Sequence, residues 1–107
     1  MKRIIKILDD MGIYHKIEDN SALVEFWTDT AGQDIPTEID FDGTPEDFVK
    51  QFSEAAENYD VDEEVEVFAN MRGQRGVPNT IRELLDDCEE AKQTLTEIAE
   101  ALQKAIK

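Results

Sequence analysis

The sequence is poor in the residues that most catalytic and metal sites need. It contains one cysteine, Cys88, and one histidine, His15, among 107 residues. A single cysteine forms no internal disulfide, and no zinc set or Ser-His-Asp triad can be argued from one histidine and one cysteine. The acidic neighbours of Cys88 disfavour a thiolate, so we expect a buried, unreactive thiol there. We expect His15 to be a packed or surface residue of a strand.

Basic residues are also scarce, with 11 Lys and Arg against 26 Asp and Glu and a formal net charge of −15. Nucleic acids and anionic membranes present phosphates, which such a chain would repel almost everywhere. The charge therefore argues against direct binding to either. It is equally compatible with a protein that merely stays in solution and with one that imitates a polyanion. The acidic excess is spread along the whole chain, so no acidic tail has been added to a neutral domain.

Long apolar runs are missing as well. The longest contains a few residues, whereas a helix that spans a bilayer needs about 20. The start at Met1-Lys2-Arg3 leads into an amphipathic pattern and not into the apolar core of a signal peptide. We therefore expect a cytoplasmic protein. The length and a hydrophobic content of 40% fit one domain over residues 1–107 with a modest core.

What is present is clear periodicity. Apolar residues at helical spacing predict a short first helix that ends at Gly12, where a left-handed cap is usual. From Ile13 the period drops to two, and turn residues at 19–21 separate this strand from a second one over 22–27. Residues 36–41 can then return as a third strand. The pattern therefore predicts three antiparallel strands.

A second helix begins at Thr44, which suits an N-cap, followed by Pro45 at the first helical position. The segment after Asp60 fits either a helix or a strand. We favour a short helix, because Asp60 and Glu63 repeat the capping pattern. The elements together predict an α+β fold, a three-stranded antiparallel meander packed by helices in the order α-β-β-β-α-(α)-α with a long C-terminal helix.

That last helix, introduced by residues 77–80, is predicted to contain about 27 residues. Its apolar residues repeat every seven positions from Ile81, and others widen the stripe beyond a coiled-coil seam. Two arrangements remain open. Either the whole apolar face packs within the protein, or the C-terminal half, with Leu95, Leu102 and Ile106, pairs with a partner or forms a homodimer.

Residues Asp40-Phe41-Asp42-Gly43-Thr44 resemble the aspartate signature of haloacid-dehalogenase-type phosphotransferases. The resemblance implies Asp40 as nucleophile and Asp42 as general acid and base, with Mg²⁺ beside them. That chemistry also needs an almost wholly apolar strand before the motif and a doubly wound sheet after it, and neither is predicted. The end of a strand, a turn and a helix cap explain the same residues.

Two further clusters deserve a chemical interpretation. The acidic residues from Asp60 to Glu66 resemble a calcium loop, but the sixth position holds Val65 where an EF-hand loop needs glycine. We therefore predict no metal site and no cofactor. Arg72 and Arg75 form the one locally basic loop, which either grips an anionic group of a partner or pairs with acids of the same chain.

The segments 41–48 and 76–84 are similar to those of small acidic proteins encoded in gut bacteria, often near mobile elements. That group has no assigned activity. The resemblance implies a compact α+β domain and transfers no site residues. By analogy alone, a mobile-element setting implies interference with host defence.

The sequence thus predicts a non-enzymatic interaction or regulatory protein that binds another protein through its long C-terminal helix or its sheet face. The alternative is a nucleic-acid mimic, whose carboxylates occupy the phosphate sites of a basic DNA- or RNA-binding protein. A third class is a small-molecule enzyme with Trp27 and Tyr14 lining a pocket, but spacing alone brings no polar groups together there.

Overall fold

The computed structural model describes residues 1–30, 32–70 and 80–106. These residues form four helices and three strands in the predicted order, and the segment after Asp60 is a helix. The α+β prediction is therefore confirmed. The elements are α1 (Lys2–Asp10), β1 (Tyr14–Ile17), β2 (Ser21–Trp27), β3 (Asp34–Asp40), α2 (Pro45–Asn58), α3 (Val61–Ala69) and α4 (Ile81–Ala105).

The sheet is an antiparallel meander in the order β1-β2-β3. Its register places Glu25 of β2 between Tyr14 of β1 and Pro36 of β3. Because side chains alternate along a strand, β2 buries Ala22, Val24 and Phe26 and turns its other residues to the opposite face. The helices cover one face of the sheet, and no element of the described residues covers the other, which is called the open face.

Local capping explains where the helices begin. Each of the last three starts with a side-chain oxygen that accepts the backbone N–H three residues later, which satisfies one of the free donors of the first turn. The caps are Thr44 for α2, Asp60 for α3 and Thr80 for α4, with donor–acceptor distances of 3.2, 3.2 and 3.1 Å. These caps are the ones that the sequence predicts for α2 and α3.

The end of α1 is a glycine cap. Gly12 has a φ of +71°, and the N–H of Ile13 bonds to the carbonyl of Leu8 at 2.9 Å. This is the Schellman arrangement, in which the left-handed residue turns the chain back over the last helical carbonyls. It sends the chain from α1 directly into β1.

The core lies between the inner face of the sheet and the helices α1, α2 and α4. α4, 25 residues long, packs against α1, α2 and α3. Its buried stripe runs from Leu84 to Leu102, and the part from Ala91 onward shares the core with Phe48 and Phe52 of α2 and Val24 of β2. Burial of so many large apolar side chains is the main stabilising contribution in a domain of this size.

Candidate functional site

The residues proposed for interaction are found in different surroundings. Arg72 and Arg75 lie outside the described residues. Leu95 and Leu102 have exposed fractions of 2% and 0% and belong to the core, whereas Ile106, at the end of α4, is 40% exposed. The apolar stripe of α4 is buried inside the protein, because α1, α2 and α3 pack on this helix and its core residues join those of the sheet. Leu95 and Leu102 therefore cannot contact a partner in this conformation.

The Asp40–Thr44 motif connects the end of β3 to the N-cap of α2. The Oδ1 atom of Asp42 accepts hydrogen bonds from the N–H and the hydroxyl of Thr44 at 2.9 and 2.5 Å. In return, the Oδ2 atom of Asp47 accepts the N–H of Asp42 at 2.9 Å. The Thr44 hydroxyl is the main reason why the pKa of Asp42 lies below its ordinary value. The sheet that precedes the motif is antiparallel, so the setting that phosphotransfer requires is not formed by these strands.

A buried polar cluster lies where the end of α2 meets α3 and α4. Burial raises the pKa of the Tyr59 hydroxyl, and the neighbouring Cys88 thiol and the carboxylates of Glu64 and Asp87 raise it further. Burial likewise raises the pKa of the Cys88 thiol. Both groups therefore keep their protons near neutral pH, and the cluster offers neither a thiolate nor a phenolate. The predicted burial of Cys88 is confirmed.

The acidic residues after Asp60 do not form a loop. Asp60 caps α3, and the carboxylates that follow lie along this helix. Among the described residues, no group of three or more His, Cys, Asp or Glu side chains is arranged to hold a metal ion. His15 is half-buried in β1, with its Nε2 atom 3.6 Å from Oδ1 of Asp9 and its Nδ1 atom 3.0 Å from the carbonyl of Ile13.

The open face of the sheet has a different character from these structural clusters. At its centre is Glu25, which is half-buried. Tyr14 and Pro36 lie directly opposite on the neighbouring strands, and Leu23 and Trp27 are the next residues of β2 on the same face. Tyr14 is also the diagonal neighbour of Leu23 and Trp27, within reach for side chains of this size. Four large, mainly apolar side chains are thus the nearest neighbours of this carboxylate along and across the strands, and Lys16, Asp34 and Glu38 occupy its diagonal positions.

Both aromatic side chains of this group are accessible. Tyr14 is 61% and Trp27 58% exposed, and every other aromatic residue of the chain is buried or half-buried. The indole of Trp27 lies over the turn between β2 and β3, where a Cβ atom on Gly32 would come within 2.7 Å of Cζ2. The absence of a side chain at Gly32 therefore lets Trp27 rest against the backbone. Contact with the turn orients this ring before any partner arrives.

The remainder of the open face is acidic. Asp34, Glu38 and Asp40 are exposed on β3, and Lys16, the one basic residue that the described strands place on this face, lies 3.6 Å from Glu18. A shallow depression of about 300 Å³ lies between the strands, lined by Lys16, Glu18, Ser21, Ala22, Leu23, Glu38, Ile39 and Asp40. The face therefore combines exposed aromatic rings with a surplus of carboxylates. Such a surface attracts cations and guanidinium groups in particular, which pair with carboxylates and stack on aromatic rings.

The sequence indicates Trp27 and Tyr14 as pocket residues and does not distinguish Glu25 from the other acidic residues. The period-two pattern places Leu23, Glu25 and Trp27 on one face of β2. It does not reveal which face the helices cover, because β2 carries apolar residues on both. The strand register, which brings Tyr14 and Pro36 to Glu25, is likewise a tertiary property.

Comparison of the chain with protein families, with curated proteins and with solved structures found no match in any of the three. The similarity to acidic proteins of gut bacteria and the cytoplasmic location stay predictions. In the described parts of the chain, no helix has the length and apolar character needed to cross a membrane.

Proposed function

We propose that this chain is a non-enzymatic interaction protein that binds a basic surface of another protein on the open face of its sheet. The observation that carries the proposal is the placement of Tyr14, Leu23, Trp27 and Pro36 next to the carboxylate of Glu25. Tyr and Trp side chains that become buried against a partner, among neighbours that exclude water from the contact, are typical of binding hot spots.

The chemistry of these side chains specifies their counterpart. An arginine or lysine side chain of the partner would place its charge on Glu25 and its stem against Tyr14 and Trp27. Within the described residues, no ion pair engages Glu25, since the three that form there join Lys6 to Asp10, His15 to Asp9 and Lys16 to Glu18. Glu25 is therefore available to a cation from outside.

The sheet face is favoured over the long helix as the docking surface. The stripe of α4 is buried, and Ile106 is the one proposed helix residue that is accessible. The homodimer through α4 has no comparable support, because it would have to expose Leu95 and Leu102 first. The high negative charge also opposes pairing of two identical chains.

The test is capture of binding proteins from a lysate of the source cells with three forms of the chain. We expect the Tyr14→Ser, Trp27→Ser double variant to lose a basic protein that the unmodified chain retains. The matched control, Val67→Ser with Ile81→Ser, removes two apolar side chains that are each 48% exposed and lie off the sheet. It should retain the partner. Equal retention by both double variants would contradict the proposal.

Trp27 supplies a direct second readout, because it is the sole tryptophan of the chain. When the captured protein is purified and titrated into the unmodified chain, the emission of Trp27 should shift to shorter wavelength as the ring leaves water. A bound complex with unchanged Trp27 emission would locate the interface elsewhere and overturn the proposal.

A nucleic-acid mimic is the second candidate. The observation that favours it is that ion pairs engage just three carboxylates in the described residues, while exposed carboxylates occur on β3 and on all four helices. The salt dependence of the complex distinguishes the two proposed functions. The complex of a mimic should weaken steeply between about 50 and 200 mM salt, whereas a complex held by Tyr14, Trp27 and one ion pair buried at Glu25 should weaken less, because buried pairs are screened less than exposed ones.

A further inference from the structure

The outer edge of β3 presents free backbone hydrogen-bonding groups. Thr28 N–H bonds to the carbonyl of Gln33, and Phe41 N–H bonds to the carbonyl of Asn20. Antiparallel partners alternate between bonded and non-bonded pairs, so the odd-numbered residues of β3 bond to β2. The backbone groups of the even-numbered residues, Asp34 to Asp40, therefore point away from the sheet. No strand in the described chain pairs with this edge.

Two adjoining grooves run beside this edge, between β3 and the helices. One, of about 350 Å³, is lined by Ile35, Pro36, Thr37, Glu38, Ala55, Tyr59, Glu64, Phe68 and Leu95. The other, of about 310 Å³, is lined by Glu38, Ile39, Asp40, Gln51, Glu54, Ala55 and Asn58. They share Glu38 and Ala55, so the grooves follow the strand continuously. The grooves therefore place apolar side chains such as Phe68 and carboxylates such as Glu64 and Glu54 next to the unpaired backbone groups of β3.

We infer that this edge takes up an extended segment of a partner protein as a fourth strand, with the pattern basic, apolar, basic. This inference rests on the proposed function, because it specifies the segment that a basic partner would present. Residues directly opposite Glu38 and Asp40 would bond to them through the backbone and place their side chains on the same outer face. Arginine or lysine there would pair with both carboxylates.

The side chain of the residue between the two basic ones would point to the opposite face of the sheet, toward the helices. It would lie opposite Ile39 and enter the second groove beside Ala55, where an apolar group of moderate size can pack against both. Pro36 limits the length of the added strand, because it has no N–H to donate and leaves only its carbonyl at that position. The backbone hydrogen bonds to the added strand are therefore centred on Glu38 and Asp40. Three residues of the partner segment determine its recognition.

The test uses an acetylated and amidated hexapeptide, Thr-Arg-Val-Arg-Val-Thr, followed by amide chemical shifts of the ¹⁵N-labelled full chain. We expect saturable shifts at the amides of Glu38 and Asp40. The peptide Thr-Arg-Arg-Val-Val-Thr has the same charge without the alternation, and it should bind at least tenfold more weakly. Equal affinity of the two peptides would overturn the inference and indicate unspecific charge attraction.

Backbone pairing is tested separately from charge. Methylation of both arginine amide nitrogens removes the donors that face β3 and should abolish the saturable shifts, whereas methylation of the central valine nitrogen, which faces away, should leave them. On the protein side, Glu38→Pro removes the edge N–H and should weaken binding at least fivefold relative to Glu38→Gln, which loses the charge alone. Indifference to the arginine methylations would contradict strand addition even if Glu38→Pro failed to fold.

The two proposals fail in different ways. If the hexapeptide does not bind but the Tyr14→Ser, Trp27→Ser variant still loses its captured partner, the edge inference alone is wrong. If the peptide binds as described and capture is indifferent to Tyr14 and Trp27, the edge stands as a separate site and the sheet-face proposal is wrong.

Discussion

The Oε2 atom of Glu90, on α4, accepts a hydrogen bond from the hydroxyl of Thr30 at 2.9 Å, 60 residues earlier in the chain. The same carboxylate accepts the backbone N–H groups of Asp29 and Thr30 at 2.9 and 3.2 Å. It thereby connects the long helix to the turn between β2 and β3. Because Trp27 rests on this turn, the contact also supports the open face of the sheet.

Replacement of Glu90 by glutamine should destabilise the protein by about 1 kcal/mol, because a charged acceptor of several hydrogen bonds becomes a neutral one. Glu89→Gln is the matched control, since Glu89 is exposed one residue away and removes the same charge. Urea unfolding at pH 7 measures both. Equal unfolding midpoints for the two variants would show that the contact contributes nothing.

The stabilisation by Glu90 should depend on pH. Partial burial raises the pKa of this carboxyl, but the hydrogen bonds from Asp29 and Thr30 together lower it below its ordinary value of 4.5. A group whose pKa is lower in the folded state stabilises the fold above its unfolded pKa and loses this effect as the pH falls through the folded value. The difference between the unmodified chain and Glu90→Gln should therefore be full above about pH 5 and shrink below 4.5. A constant difference down to pH 3 would contradict this.

Two glycines with positive φ should respond differently to alanine. A Cβ atom on Gly43, at φ +90°, would lie 2.9 Å from the main-chain oxygen of Asp19, whereas one on Gly12, at φ +71°, meets no atom within 4 Å. Gly12→Ala should cost about 1 kcal/mol of unfolding free energy from backbone strain alone. Gly43→Ala should cost about 2 kcal/mol more, because it adds a collision with backbone. Similar midpoints in urea would show that the turn at Gly43 moves freely.

Lys92 of α4 caps the C-terminal end of α2. Its Nζ atom donates hydrogen bonds to the carbonyls of Ala56 and Glu57, the latter at 3.0 Å. These carbonyls belong to the last turn, which has no partners within its own helix. Lys92→Met keeps the apolar stem and should cost about 1 to 2 kcal/mol. Lys50→Met, at an exposed position of α2, changes the net charge equally and should be nearly neutral. Thermal unfolding of the pair provides the measurement.

Thr44 tests the phosphotransferase resemblance. Since its hydroxyl caps α2 and bonds to Asp42, Thr44→Ala should lower the unfolding free energy by about 1 kcal/mol. The unmodified chain should not hydrolyse an aryl phosphate in the presence of Mg²⁺. Turnover that disappears in Asp40→Asn would instead assign the motif to catalysis.

The sequence predicts the elements well, because each depends on residues close together in the chain. The caps at Thr44 and Asp60, the glycine at the end of α1 and the alternation in β2 follow from local backbone chemistry. The length of α4 was predicted to within two residues, since about 27 were expected and 25 are helical. Even the ambiguous segment after Asp60 could be assigned from its capping pattern.

The candidate site could not be derived in the same way. Leu95 and Leu102 form part of an apolar stripe whose sequence is equally suited to a partner and to the core. Their burial depends on α1, α2 and the sheet arriving on that side of α4. Glu25 is one of 26 acidic residues in the sequence, and it is distinguished by its neighbours on other strands.

Composition and local pattern by themselves determined the charge of this protein, its helices and strands and the places where they begin and end. The tertiary structure decided which face of the sheet is covered, which apolar stripe is buried within the protein and which carboxylate lies among Tyr14, Leu23, Trp27 and Pro36. The physical reason is the sequence separation over which each kind of interaction acts. Capping and alternation act over a few residues, whereas packing and register join Glu90 to Thr30 and Tyr14 to Glu25 across long stretches of chain.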